Sequence, residues 1–150
     1  QITPDLATSY AEQLIYQPNR TTFLDEMIYF GKQLYLKDLW IPFKKDHEKI
    51  GYSISEYEWS EANEFYIWQY FVEKELLYQT DRKLLGRFII AAPFSRFNLE
   101  LDRESPGRLG QYIGWQIVKS YMKNNPTSIL EMTQMNPQDI FNKAKFKPKK

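Results

Sequence analysis

The chain contains no cysteine, which excludes disulfide bridges, iron–sulfur clusters, thiolate zinc sites and cysteine nucleophiles together. That absence leaves the compartment open, because a cysteine-free domain suits oxidising and reducing surroundings alike. Histidine is nearly absent too. His47 stands alone, so no His-x-x-x-His zinc pair and no site needing two imidazoles can be assembled. His47-Glu48 begins like a zincin motif, but Ile50 and Gly51 follow where the motif should close, and His47 is read as a solvated loop residue. No apolar run approaches the roughly 20 residues that a bilayer-spanning helix needs. There is no glycine-rich phosphate loop, no Gly-x-Ser-x-Gly elbow and no diagnostic pair of acids. A dominant charge is missing as well: 20 basic residues face 19 acidic ones, for a net charge of +1. The two signs interleave, which argues against a nucleic-acid surface. The exception is the C-terminal stretch from Phe141, where Lys143, Lys145, Lys147, Lys149 and Lys150 gather. It is read as a flexible, solvated basic tail, with contact to anionic lipid or an acidic partner as the other reading.

What is abundant is aromatic. The 150 residues include 11 tyrosines, 10 phenylalanines and 4 tryptophans, enough to build the core of one domain and, through the tyrosine and tryptophan polar atoms, to suit interfaces as well. The apolar periodicity is helical almost throughout. Thr3-Pro4 reads as a helix start with Leu6, Tyr10, Leu14 and Ile15 following at helical spacing. A second helix is predicted from caps at Asn19 to Thr22 through about Leu39, with Phe23, Leu24, Met27, Ile28, Gly31, Leu34 and Tyr35 on one stripe and Pro42 as its stop. Residues 43–54 read as a charged connection. A capping box at Ser55 and Glu58 predicts a third helix to about Leu77, rich in Trp59, Phe65, Ile67, Trp68, Phe71 and Val72 and expected to be central. Thr80 caps a shorter helix to about Ile90. The alternation of Phe97, Leu99 and Leu101 suits an extended loop or a short strand. Thr127 and Asn136-Pro137 open two further helices. The prediction is a single irregular all-α domain over residues 1–150, without repeats.

The run from Glu104 to Met122 is the most informative segment. Pro106 suits a first helical turn, and Gly107, Gly110 and Gly114 recur three and four residues apart, so they share one side of the helix. A glycine inside a helix costs about 1 kcal/mol relative to alanine. Gly110 and Gly114 therefore require a neighbour too close for a side chain: another helix of the domain, a missing segment, a partner or a ligand. Trp115, beside Gly114, joins this candidate set. Asn63 and Glu64 are polar residues among aromatics, and their burial demands hydrogen-bond partners, for example Arg108 or a loop backbone for the carboxylate. Asp102, Arg103, Glu104 and Arg108 surround the helix start, where acids are electrostatically favoured and where an anion is the alternative occupant. Tyr112 is a candidate cleft-facing donor or a packing residue. These residues include no catalytic set, no metal ligands and no cofactor site, and from them a helical binding or structural domain is expected rather than an enzyme.

Several motifs then align in order: Met27-Ile-Tyr-Phe-Gly-Lys-Gln-Leu-Tyr35, Ile50-Gly-Tyr52 with Trp59 and Asn63-Glu64, Leu77-Tyr-Gln-Thr-Asp81, Ala92-Pro-Phe-Ser-Arg-Phe97, and the Glu104–Met122 run. Together they resemble the GldB family of gliding-motility-associated lipoproteins of Bacteroidetes, over about Phe23 to Met122. The resemblance implies an exported cell-envelope lipoprotein, anchored through an N-terminal cysteine that this chain does not carry, facing the periplasm and working with envelope proteins of the gliding apparatus. It also implies that the chain is the C-terminal portion of a longer protein whose missing N-terminal part is a partner for the glycine face. The family is similar in turn to zinc peptidases with an upstream His-Glu-x-x-His helix and a Glu-Gly helix after it, so the fold is expected to be the C-terminal half of a gluzincin-like scaffold. Here the Glu-Gly step reads Phe30-Gly31, with Glu26 one turn earlier. Arg108 and Tyr112 fall where the downstream helix would line the cleft. The resemblance thus implies a pseudopeptidase, with a zinc-dependent peptidase completed from upstream as the alternative.

Overall fold

The computed structural model describes residues 2–90 and 105–150. Among these residues every regular element is a helix and together they form one all-α domain. The predicted alternation at Phe97, Leu99 and Leu101, and the group Asp102, Arg103 and Glu104, lie outside the described residues.

Helix α1 (Pro4–Leu14) starts as its sequence dictates, with the Thr3 hydroxyl accepting the Leu6 amide at 3.2 Å and Pro4 in the first turn. Helix α2 (Phe23–Trp40) opens with a reciprocal cap: Thr22 Oγ1 accepts the Asp25 amide at 3.0 Å and the Asp25 carboxylate accepts the Thr22 amide at 3.1 Å. Phe23, Leu24, Met27, Ile28, Gly31 and Leu34 are buried along its predicted stripe.

The next segment corrects the sequence reading four times. The charged connection contains a short helix, α3 (Asp46–Ile50), closed by Gly51 at φ 83°, a left-handed conformation that glycine adopts without steric cost. His47 sits in α3, not in a loop, and its Nδ1 donates to the Tyr52 carbonyl at 3.0 Å. The capping box lies at Ser53 and Glu56, two residues earlier than predicted. The single long helix expected up to Leu77 is two, α4 (Ile54–Ala62) and α5 (Glu64–Glu73). Asn63 divides them at φ −110° and ψ 13°, with its side-chain Nδ2 turned back onto the Trp59 carbonyl at 2.8 Å. This is the local competition for backbone groups that makes asparagine a poor interior helix residue.

Helix α6 (Lys83–Phe88) follows, with Asp81 rather than Thr80 meeting its first amides, at 2.9 Å to Lys83 N. Helix α7 (Leu109–Asn124) begins three residues after Pro106. Arg108 is left-handed, at φ 60°, so the predicted start at Pro106 is corrected and Gly107 falls before the helix, away from the glycine face. Helix α8 (Ile129–Gln134) is capped by Ser128, one residue past the predicted Thr127. Helix α9 (Pro137–Ala144) has the predicted Asn136-Pro137 start.

The central pair is α2 against α7, with α1 on α2 and α9 across both. The aromatic helix expected at the centre lies to one side, where Tyr66 and Val72 are exposed. Its inward residue Phe71 meets Phe23 and Phe88 with ring centroids 5.1 Å away in each case, an edge-to-face cluster in which each fully buried ring contributes about 1.5–3 kcal/mol. Beyond α9, Phe146 packs edge-on against Trp68 at 5.2 Å, and the Lys149 amide donates to Glu64 Oε2 at 2.8 Å.

Candidate functional site

The candidate residues fall along α7 and what faces it. Gly114 lies against the backbone of α2: an added Cβ would overlap the Met27 carbonyl, 2.5 Å from its carbon and 3.2 Å from Met27 Cα. Gly31, on the α2 side, meets the Gly114 carbonyl and would place a Cβ 2.9 Å from Trp115 N. Two glycines facing each other let the two backbones touch, which accounts for the helix propensity lost at both. Gly110 closes the seam at its N-terminal end, where a Cβ would stand 2.9 Å from the Phe88 carbonyl oxygen. The neighbour that the glycines require is thus within this domain.

Trp115 is wholly buried and its Nε1 donates to Asp38 Oδ2 at 2.8 Å. The other oxygen of Asp38 accepts from Lys49 Nζ at 3.0 Å, so α7, α2 and α3 are joined through one carboxylate. Tyr112, 1% exposed, donates to Glu64 Oε1 at 2.8 Å. Burial, and then the charge of Glu64, push the Tyr112 hydroxyl well above the ordinary tyrosine range. Glu64 therefore holds Tyr112 and the Lys149 amide, not Arg108 as one reading had it. Asn63 is spent on the α4 carbonyl end.

Arg108 instead belongs to a clasp. Its Nη1 donates to the Ile50 carbonyl at 2.6 Å, and the Tyr52 hydroxyl donates to the Gly107 carbonyl. The Ile50-Gly-Tyr52 motif and the Gly107-Arg108 step thus grip each other across 55 residues of sequence. A left-handed arginine costs on the order of 1 kcal/mol or more, and persists only when its surroundings fix it; this clasp does so. Glu26, the residue in reach of a shifted Glu-Gly register, accepts from Arg20 Nη2 at 2.8 Å and Nε at 3.2 Å, while that guanidinium stacks on Tyr29.

Two features went unread in the sequence. The first is a cavity of about 430 Å³ between α1, α2, α3 and the start of α7, with Gln33, Lys37 and Arg108 in its lining. The second is the orientation of α1. It buries Ala7 and Ala11 completely, while Leu6, Tyr10 and Leu14 remain between 38% and 48% exposed. The spacing of four between these three residues was visible, but helical spacing of large apolar residues ordinarily marks the inward face. Among the described residues no three histidine, aspartate or glutamate side chains converge as metal ligands, and no helix is long and apolar enough to cross a membrane.

A family model described as gliding motility protein GldB matches residues 1–148. The chain belongs to the gliding motility protein GldB family. Three of its ordered motifs have structural places, the Met27–Tyr35 motif on the α2 side of the glycine seam, Ile50–Tyr52 in the clasp, and Gly107–Met122 as the clasp's partner and α7, while the Ala92–Phe97 motif lies outside the described residues. Comparison with curated proteins and with solved structures gave no match. Membership in the GldB family implies a part in gliding motility, and the family's lipoprotein designation implies a membrane-anchored place in the cell envelope.

Proposed function

We propose that this domain serves gliding motility without catalysis, by holding a protein of the envelope machinery on the outward face of α1, on the periplasmic side of the membrane. The observation that carries this reading is the inverted helix. In a free-standing domain a stripe of Leu6, Tyr10 and Leu14 belongs in the core, yet the small residues of α1 are inside and the large ones outside, the arrangement of a surface meant to be covered. No lysine or arginine occurs in residues 1–19, whereas Asp5 and Glu12 lie on the same helix. The partner it fits is an apolar ridge with basic flanks. The fate of the polar groups supports the noncatalytic part: Glu64, Tyr112, Glu26, Asp38 and His47 are each bonded within the fold, which leaves them packing and positioning roles.

The test is a strain whose only copy carries Leu6→Ser, Tyr10→Ser and Leu14→Ser. Thermal unfolding of the purified variant and its level in the envelope should match the parent, because exposed substitutions change stability by only about 0.5 kcal/mol each, while gliding on agar is lost. Normal gliding at normal protein level refutes the docking face. Stoichiometric zinc in the full-length protein, lost on substitution of a histidine upstream of this chain, refutes the noncatalytic reading separately.

A further inference from the structure

The cavity at the start of α7 has a polarity that the rest of the fold does not use. Lys37 is 8% exposed, and its Nζ makes one hydrogen bond, 2.8 Å to the Lys49 carbonyl. Arg108 reaches the same wall through the Ile50 carbonyl. Among the described residues neither cation has a carboxylate within ion-pairing distance: the pairs formed are Arg20–Glu26, Lys44–Glu48, Lys49 with Asp38 and Asp46, and Lys149–Glu61. One turn before Lys37, Gln33 also lines the cavity. Only 5% of the residue is exposed, and no hydrogen bond occupies its side chain among the described residues. Its amide is left to solvent or to an occupant of the cavity, which is large enough for a ligand.

The acids of the lining stand toward its rim, Asp5 exposed and Glu48 half-buried, whereas Lys37 and Gln33 are buried and Arg108 is half-buried. Phe30, Leu34, Ile50 and Ile89 give part of the wall an apolar character, and Thr8, Lys49 and Gln111 complete its polar part. We infer that this cavity binds a carboxylate carried on an apolar group, its oxygens held between Lys37 and Arg108 with Gln33 donating alongside. A dianionic phosphate fits less well, because rim acids repel it and half the wall offers it nothing. A monoanion beside an apolar or aromatic group satisfies both halves. The volume lies in the range of small-molecule pockets and admits a group the size of a blocked amino acid. Burial also lowers the Lys37 ammonium to about 8, with the charge of Arg108 adding to the effect and Asp5 and Glu12 opposing it. An incoming carboxylate relieves that penalty. This inference is independent of the α1 docking face, whose apolar residues Leu6, Tyr10 and Leu14 do not line the cavity.

Two sources present this chemistry, the C-terminal carboxylate of a peptide and a free apolar carboxylic acid. Calorimetric titration of the full chain with N-acetylphenylalanine, N-acetylphenylalanine amide and 3-phenylpropionate tests the inference and separates the sources. Saturable binding of at least one acid is expected, at least about tenfold tighter than the amide, the size of a charge-assisted hydrogen bond. Lys37→Met should abolish the preference for acid over amide, and Gln33→Met should weaken the acids about fivefold or more. N-acetylphenylalanine binding tighter than 3-phenylpropionate assigns the peptide C-terminus, and the reverse order assigns the free acid. Both substitutions keep an unbranched stem of similar volume, and circular dichroism establishes that each variant folds; either one folded carries the test. Equal affinity for acid and amide overturns the inference, as does failure of every acid to saturate, an acid preference that survives in folded Lys37→Met, or acid affinity unchanged in folded Gln33→Met.

Discussion

Replacement of Gly114 by alanine is the sharpest probe of the fold. On an exposed helix the substitution stabilises by about 1 kcal/mol, because alanine is the better helix former. Here the added Cβ meets the backbone of α2, 2.5 Å from the Met27 carbonyl carbon, where carbon atoms in ordinary contact stand about 3.5–4.0 Å apart. A side chain in the way would rotate aside, but a helix backbone does not. The two helices must therefore separate by roughly 1 Å, which exceeds what a close-packed interior absorbs without loss of contact. That separation loosens the contacts of Met27, Ile28, Ile113 and Ile117, all wholly buried, and stretches the Trp115–Asp38 hydrogen bond. Overpacking of this kind costs about 1–3 kcal/mol, and leucine at the same position is expected to cost more. With a urea dependence of about 1–3 kcal/mol per molar, the unfolding midpoint should fall by roughly 0.3–3 M at unchanged slope. Gly31→Ala should act similarly. The two together should cost less than their sum, since one separation of the helices accommodates both methyl groups. A midpoint equal to or above the parent for Gly114→Ala would refute the close seam.

Tyr112→Phe leaves Glu64 Oε1 buried without its donor and should cost about 1.5–3 kcal/mol in urea unfolding; a loss below 0.5 kcal/mol, taken as about the noise of surface substitutions, would show that the pair is solvated. Stability should also depend on pH with a maximum near pH 10. Burial lowers Lys32 and Lys37 from 10.5 to about 8, so between those values the unfolded chain holds protons that the folded one has released, and stability rises by up to about 1.4 kcal/mol per pH unit for each lysine. Above pH 10 the sign reverses, because burial raises the hydroxyls of Tyr52, Tyr57 and Tyr112 above 10.0 and the unfolded tyrosines ionise first. Thermal unfolding temperatures measured from pH 7 to 11 check this, and a monotonic fall from pH 7 would contradict it.

The features legible in sequence are those whose cause lies within a few residues. Thr3-Pro4, Thr22 with Asp25 and Asn136-Pro137 specify helix starts because cap and amide are two or three positions apart, and the α2 stripe follows from helical period alone. Gly110 and Gly114 announced a close neighbour, since glycine in a helix is explained only by crowding. The sequence did not say which neighbour it was: Gly31 lies 83 positions away, and no local rule pairs it with Gly114. Likewise the division at Asn63 and the left-handed turn at Arg108 depend on partners reached through folding, the first favoured by a side-chain bond and the second imposed by the clasp with Ile50 and Tyr52. The family, the all-α class and the caps at Thr3, Thr22 and Asn136 were thus determined by the sequence by itself. Which residues of α1 face outward, which acid holds Tyr112 and where two cations, without a paired carboxylate among the described residues, line a cavity were decided only by tertiary structure, because each depends on the relative placement of helices, and that placement is set by backbone contact at the glycine seam.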